Sequence, residues 1–248
     1  MPSKTREREN RKKKRNPDQF LTMEHKYYIF CEGEKTEPLY FDGFKDAIML
    51  NPMYMNSVHV KTIGVAKETV RILEEAVKYV EYNKIKNAEI WCVYDKDSFP
   101  DADFNEVSLR ANSLNRSEKT RRNGISYRVA WSNQCIEYWF LIHFDKYDSN
   151  NDRKSYIEYL TKKYKSLGKE KYEKNDKDTF NTLTFHGKPK LAIKRAEQRL
   201  TECSGKTDAE SAPATKVHLL VKELAKYLPE DIKNKYLDKK KESDNKSE

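Results

Sequence analysis

The sequence predicts an α/β protein, with a mostly parallel four-stranded sheet flanked by helices and followed by a helical C-terminal half. Three observations carry that expectation. Short apolar runs alternate with stretches of helical periodicity between Lys26 and Trp131, the pattern of βαβ crossovers. The third run, Ala88–Tyr94 (AEIWCVY), is continuously apolar, which suits a strand covered on both faces. After Asp145 no segment reads as a strong strand.

Lys26–Cys31 (KYYIFC) reads as the first, buried strand. Thr36 then offers a helix N-cap, Pro38 suits a first turn, and Tyr40, Phe44, Ala47 and Ile48 recur at helical spacing. Ser57–Ile63 alternates as a second strand, and Val70, Leu73, Val77 and Val80 mark an amphipathic helix. A polar, partly helical stretch covers Phe104–Arg122, before Ile125–Trp131 alternates as the fourth strand. Ile136–Phe144 (IEYWFLIHF) is apolar on every side, as a core helix is. Arg153–Lys165, Leu191–Leu200 and Val217–Leu228 read as helices, with Lys169–Asp178 a charged connection. The expected organisation is a basic arm over 1–22, an α/β unit over 23–150, a helical region over 151–230 and a polar tail over 231–248.

The chain has 248 residues, of which 37% are apolar and 36% charged, enough apolar surface for a real core despite the hydrophilic balance. No apolar run reaches the roughly 18 residues of a membrane span, and the N-terminus has no secretory h-region. The four cysteines are widely spaced with no CxxC pair, against both a zinc ribbon and a disulfide framework. These features point to a cytoplasmic protein with reduced thiols and no membrane contact. The net charge is +9, and residues 1–22 hold eight Lys/Arg against three acids, or +5 of it. That segment, with Arg11, Lys12, Lys13, Lys14 and Arg15 at its centre, reads either as an arm following nucleic-acid phosphates or as a solubilising tail.

Ligands of open α/β sheets bind at the carboxyl ends of strands, so the residues leaving each strand carry the chemistry. Glu32, Glu34 and Glu37 follow the first strand, Asp95 and Asp97 the third, and Glu137 lies one turn beyond the fourth. Gathered carboxylates repel one another, and a hard cation such as Mg2+ or Mn2+ is the usual reason to hold them together. Such an ion polarises a phosphodiester and acidifies an attacking water, and Glu32 is placed to bind it or to act as general base. Glu137 in an apolar helix either joins that site or pairs with a core Lys or Arg. Asn133 caps the helix or orients a water, and Lys188, in His186-Gly187-Lys188, could reach a phosphate. Tyr156, Tyr159, Tyr164 and Tyr172 stack bases or, as aromatics at helical spacing usually do, fill core.

The segments CEGEKTEPLYF (31–41), VYDKDSF (93–99), SNQCIEYWFLIHF (132–144) and SAPATKVHLLVKEL (211–224) resemble the RloB-like family. The Glu-Gly after one strand with Asp-x-Asp after another resembles the wider Toprim signature, shared by topoisomerases, bacterial primases and OLD-type nucleases. The resemblance implies a Toprim-like fold in which Glu32, Asp95 and Asp97 bind Mg2+ and catalyse phosphodiester hydrolysis. OLD-type nucleases carry a further Glu, for which Glu37 is offset by one residue and Glu34 competes. The resemblance also implies a nuclease effector of a phage-defence system, acting on DNA or RNA and held by an ATPase partner. Two alternatives have other sequence requirements. A HAD-like phosphatase wants its Asp-x-Asp after the first strand and a Thr or Val where Phe99 stands, and a non-catalytic nucleic-acid-binding or partner-docking subunit needs the acids only as loop caps.

If the arm binds phosphates, deleting residues 1–22 makes the salt dependence of nucleic-acid affinity shallower. Each lost contact lowers the log–log slope by about 0.9 on duplex DNA or about 0.7 on single strands. An unchanged slope in a filter-binding salt series identifies a solubilising tail.

Overall fold

The structure is a computed structural model that describes residues 24–65 and 69–238. The basic segment 1–22, including Arg11, Lys12, Lys13, Lys14 and Arg15, and the tail from 239 lie outside the described residues. Strands β1 (His25–Cys31), β2 (Val58–Gly64), β3 (Ala88–Asp95) and β4 (Ile125–Asn133) are parallel, and β5 (Ala214–Thr215) runs antiparallel to β4, in the order β2-β1-β3-β4-β5. The helices are α1 (Thr36–Met49), α2 (Thr69–Tyr82), α3 (Asp101–Arg116), α4 (Glu118–Arg122), α5 (Ile136–Leu141), α6 (Arg153–Ser166), α7 (Thr179–Phe185), α8 (Pro189–Glu202), α9 (Val217–Ala225) and α10 (Glu230–Tyr236).

The period-2 alternation of the strands divides the core into two layers. Tyr27, Ile29 and Cys31 of β1 and Trp91 and Val93 of β3 join α1, α5, α6 and α9 on one face. Phe30 of β1 and Ile90, Cys92 and Tyr94 of β3 pack with α2 and α3 on the other. From Ile90 onwards β3 is covered on both faces and shows no polar side, which is why Ile90–Tyr94 is an unbroken apolar run, with the partly exposed Glu89 before it. The chain passes from β1 outwards to β2 and then back across to β3, so the topology switches direction between β1 and β3. In such sheets the crevice for a ligand opens at that switch, outside the carboxyl ends.

Five elements depart from the sequence expectation. The sheet has five strands, not four. β5 is two residues long, too short for any periodicity, and it is recruited by tertiary bonds: Ser132 and Thr215 share a hydroxyl hydrogen bond at 3.0 Å, and the Lys216 amide donates to the Trp131 carbonyl. Thr36 is the first residue of α1 rather than its cap, a position held by Lys35 without a side-chain bond. α5 ends at Leu141 instead of Phe144, where His143 turns the chain, its ring bonding the Trp139 carbonyl and its own carbonyl accepting from the Lys188 amide. α7 lies in TFNTLTF, a poor helix by propensity, and is held by its contacts: Phe180 packs on Phe44 at 4.7 Å, and Thr184 bonds the Tyr236 hydroxyl. The start of the expected polar tail is α10, with Tyr236 buried against Phe44.

Gly43 marks where α1 and α7 touch, since a Cβ built there overlaps the Cβ and Cγ of Phe180. Gly43→Ala should therefore cost about 1–3 kcal/mol of overpacking, more than the roughly 1 kcal/mol that alanine gains over glycine within a helix. A melting temperature equal to or above the parent's removes this packing argument.

Candidate functional site

The carboxyl ends of β1, β3 and β4 open onto a cleft of about 500 Å3, at the switch between β1 and β3. It is lined by Glu32, Glu34, Glu37, Asp95, Asp97 and Glu137, and by the cations Lys35, Arg153 and Lys174. The five acids Glu32, Glu37, Asp95, Asp97 and Glu137 read from sequence as a metal set are thus brought together on one cavity. Lys188 is exposed at the start of α8 and is not among the lining residues.

Each acid is placed by a backbone feature. Glu32 follows β1, its amide donating to the Val93 carbonyl, and its Oε2 accepts the Asp95 amide at 3.1 Å. The two strand ends are thereby joined across the switch. Asp95 closes β3 and is 4% exposed. The Lys96 amide bonds the Ser132 carbonyl and the Asp97 amide the Gln134 carbonyl, while Asp97 takes φ +40°, in the left-handed region that aspartate tolerates better than most residues. This turn sends Lys96 away to Asp101 at 3.1 Å and leaves Asp97 facing the same point as Asp95. Glu37, in the first turn of α1, is buried and reaches back over Gly33, where a Cβ would overlap its Oε2. Glu34 is exposed at the same cleft. Glu137 is 1% exposed, accepts from the Tyr172 hydroxyl at 3.3 Å and lies 3.8 Å from Lys174. Glu137 thus lines the cleft, and the lysine it faces is a half-exposed one at the cleft rather than a core partner.

The residue that sequence reasoning missed is Arg153. One guanidinium nitrogen, Nη2, lies 2.8 Å from Asp95 Oδ2 and 2.8 Å from Asp97 Oδ2. Nothing in the local sequence marks it, because it arrives on α6, 58 residues after Asp95. The acids are thus not an uncompensated cluster. Burial, with Glu37 and Glu137 nearby, still holds Asp95 well above the usual carboxylate range against the pull of Arg153. Burial also raises Asp97 despite that guanidinium, and burial with repulsion from Glu137 raises Glu37. Burial opposes the charge on Arg153, but Asp95 and Asp97 outweigh it and raise its pKa.

As the side chains stand, no three acidic, histidine or cysteine groups among the described residues meet closely enough to make a metal site. The donor chemistry nevertheless suits a hard divalent ion. Every lining acid offers oxygen alone, and Asp95 Oδ1 and Glu137 Oε2 are buried with no hydrogen-bond partner. The remaining sequence candidates serve the fold. Asn133 donates to the carbonyls of Ala209 at 2.7 Å and Asp208 at 3.3 Å, neither capping α5 nor facing the cleft. Tyr156, Tyr164 and Tyr172 are buried in the core and present no faces for base stacking, while the partly buried Tyr159 packs against that core with its hydroxyl on Asp145.

A family model of RloB-like proteins matches residues 27–224. The chain belongs to the RloB-like family. All the cleft-lining acids of this RloB-like chain, together with Arg153, Lys174 and β5, fall inside the matched span. No curated protein and no solved structure matches it. Among the described residues, no helix is long and apolar enough to cross a membrane.

The raised pKa of Glu37 has a stability consequence. The folded state binds its proton more tightly than the unfolded chain does, so the contribution of this one carboxyl to stability is greatest below about pH 4.5 and falls as pH rises from there towards the raised folded value. Glu37→Gln removes that loss. In EDTA the variant should melt above the parent at pH 8 by more than it does at pH 5. A variant that melts lower by an equal margin at both values contradicts the crowded-acid account.

Proposed function

We propose that this RloB-like chain is a Mg2+- or Mn2+-dependent nuclease of Toprim type that hydrolyses phosphodiesters of DNA or RNA. The observation that carries the proposal is the gathering of Glu32, Glu37, Asp95, Asp97 and Glu137 on one cleft at the switch point, with two buried carboxylate oxygens left unpartnered. Acids in such number on a chain of net charge +9 are costly for stability alone, and their oxygens match what a hard ion takes. Asp95, Asp97 and Glu32 would hold the ion, with Glu37 and Glu137 completing the oxygen set. Bound there, it supplies polarisation of a phosphodiester and a more acidic attacking water. Glu32, tied to the Asp95 amide, would in the alternative serve as general base instead of ligand. Lys174 and Lys35 offer positive charge to a phosphate entering the cleft.

The family resemblance extends the proposal to an effector of phage defence with an ATPase partner. The charge pattern and composition of the sequence, independently of the resemblance, extend it to a cytoplasmic protein with segment 1–22 and Lys188 as further nucleic-acid contacts. One observation favours a second reading. Arg153 already neutralises Asp95 and Asp97, as it would in a non-catalytic nucleic-acid-binding or partner-docking subunit.

Labelled DNA and RNA incubated with the full chain in Mg2+, Mn2+ or EDTA separate the two. The nuclease reading expects cutting that EDTA abolishes, and a loss of about a hundredfold or more in Asp95→Asn and in Glu32→Gln. Full cutting by either pure variant refutes the assigned residues, and binding without cutting under every condition supports the second reading.

A further inference from the structure

Arg153 is an awkward partner for the aspartates it bridges. Arginine pairs best through its fork, two nitrogens meeting two oxygens of one carboxylate. Here a single nitrogen, Nη2, is shared between Asp95 Oδ2 and Asp97 Oδ2, while Arg153 Nε and Asp95 Oδ1 are both buried without a partner. The pair therefore neutralises charge without satisfying its own hydrogen-bonding groups.

Its position on the helix is unfavourable as well. Arg153 is the first residue of α6, directly after the N-cap Asp152, whose side chain accepts the Ser155 amide. The amino end of a helix carries partial positive charge, so a cation is disfavoured there and an acid preferred. No acid occupies that first turn. The segment leading to it, 146–152, has no regular structure and is largely exposed, and Arg153 itself keeps a third of its side chain in solvent. A guanidinium so placed is held by the two aspartates and can leave them without unpacking a core residue.

We infer that Arg153 is the exchangeable resident cation of the site: it occupies the Asp95/Asp97 pair until a divalent ion displaces it. The inference rests on the carboxylate reading of the cleft proposed above and adds its regulation. A guanidinium and a divalent ion compete for the same oxygens, so occupancy by Arg153 lowers the apparent affinity of the site for metal by a coupling factor. It also keeps the buried Asp95 and the half-buried Asp97 from facing each other bare when metal is scarce.

The test is calorimetric titration of Mn2+ alone into the full chain, after dialysis against EDTA, with parent, Arg153→Gln, Arg153→Lys and Asp95→Asn/Asp97→Asn compared. Arg153→Gln should bind Mn2+ about tenfold more tightly than the parent, within the common range for coupled sites. Arg153→Lys, which keeps the charge on a shorter side chain, should lie between them. In EDTA, Arg153→Gln should melt below the parent, and Mn2+ should restore more of its stability than the parent gains. Equal or weaker Mn2+ binding by Arg153→Gln, with binding still lost in the double aspartate variant, overturns the exchange and leaves the carboxylate site standing. Absence of Mn2+ binding in the parent and in both Arg153 variants, or unchanged binding in the double variant, overturns the carboxylate reading itself and the exchange with it.

Discussion

Burial of β3 on both faces is the constraint from which the site follows. Trp91 and Val93 belong to one hydrophobic layer and Ile90, Cys92 and Tyr94 to the other, so the strand cannot shift without disturbing both cores. Its last residue, Asp95, is consequently fixed in place and denied solvent. An acid on a free loop relieves repulsion by moving into water, whereas an acid at the end of a doubly covered strand has to be neutralised where it stands. The bond from the Asp95 amide to Glu32 carries the same rigidity across to β1.

The electrostatics of the cleft grow out of that fixity. Six acids and three cations line it, on a chain whose overall charge has the opposite sign. Asp95 and Glu37 are pushed towards their neutral forms by burial first, Asp95 also by Glu37 and Glu137, and Glu37 also by Glu137. Arg153 and Lys174 enter from α6 and from the connection before α7, so the region beyond the parallel sheet supplies the balancing charge. β5 and α9 bind this later part of the chain to β4 through Ser132, Thr215 and Lys216, which gives the SAPATK segment a structural role beside the site. The membership shown by the family match covers all of these parts.

Where the sequence failed as a guide, the reason is the same in each case. The helix α7 is rich in β-branched threonine, and its Thr184 hydroxyl is satisfied by Phe180 and by Tyr236, a residue 52 positions away. β5 has no pattern of its own, being two residues held by β4. Asn133 reads as a helix cap but is turned to the backbone of 208–209, because that segment passes beside the strand end. Arg153 looks like any surface arginine until α6 is docked. Glu34 and Glu37 are separated by burial, which spacing from Glu32 does not encode.

The sequence by itself determined the parallel α/β order, the doubly covered third strand and the acids Glu32, Glu37, Asp95, Asp97 and Glu137 at the strand ends. Those are local properties: periodicity sets which face is apolar, and the residue after a strand necessarily stands at its carboxyl end. Tertiary structure alone decided which cation faces those acids, how far each is buried, and that the sheet gains a fifth strand. These depend on segments far apart in the chain meeting in space, and no pattern within either segment records the meeting. The ionisation of the cleft is therefore a property of the packed molecule, set by the docking of α6 against the end of β3.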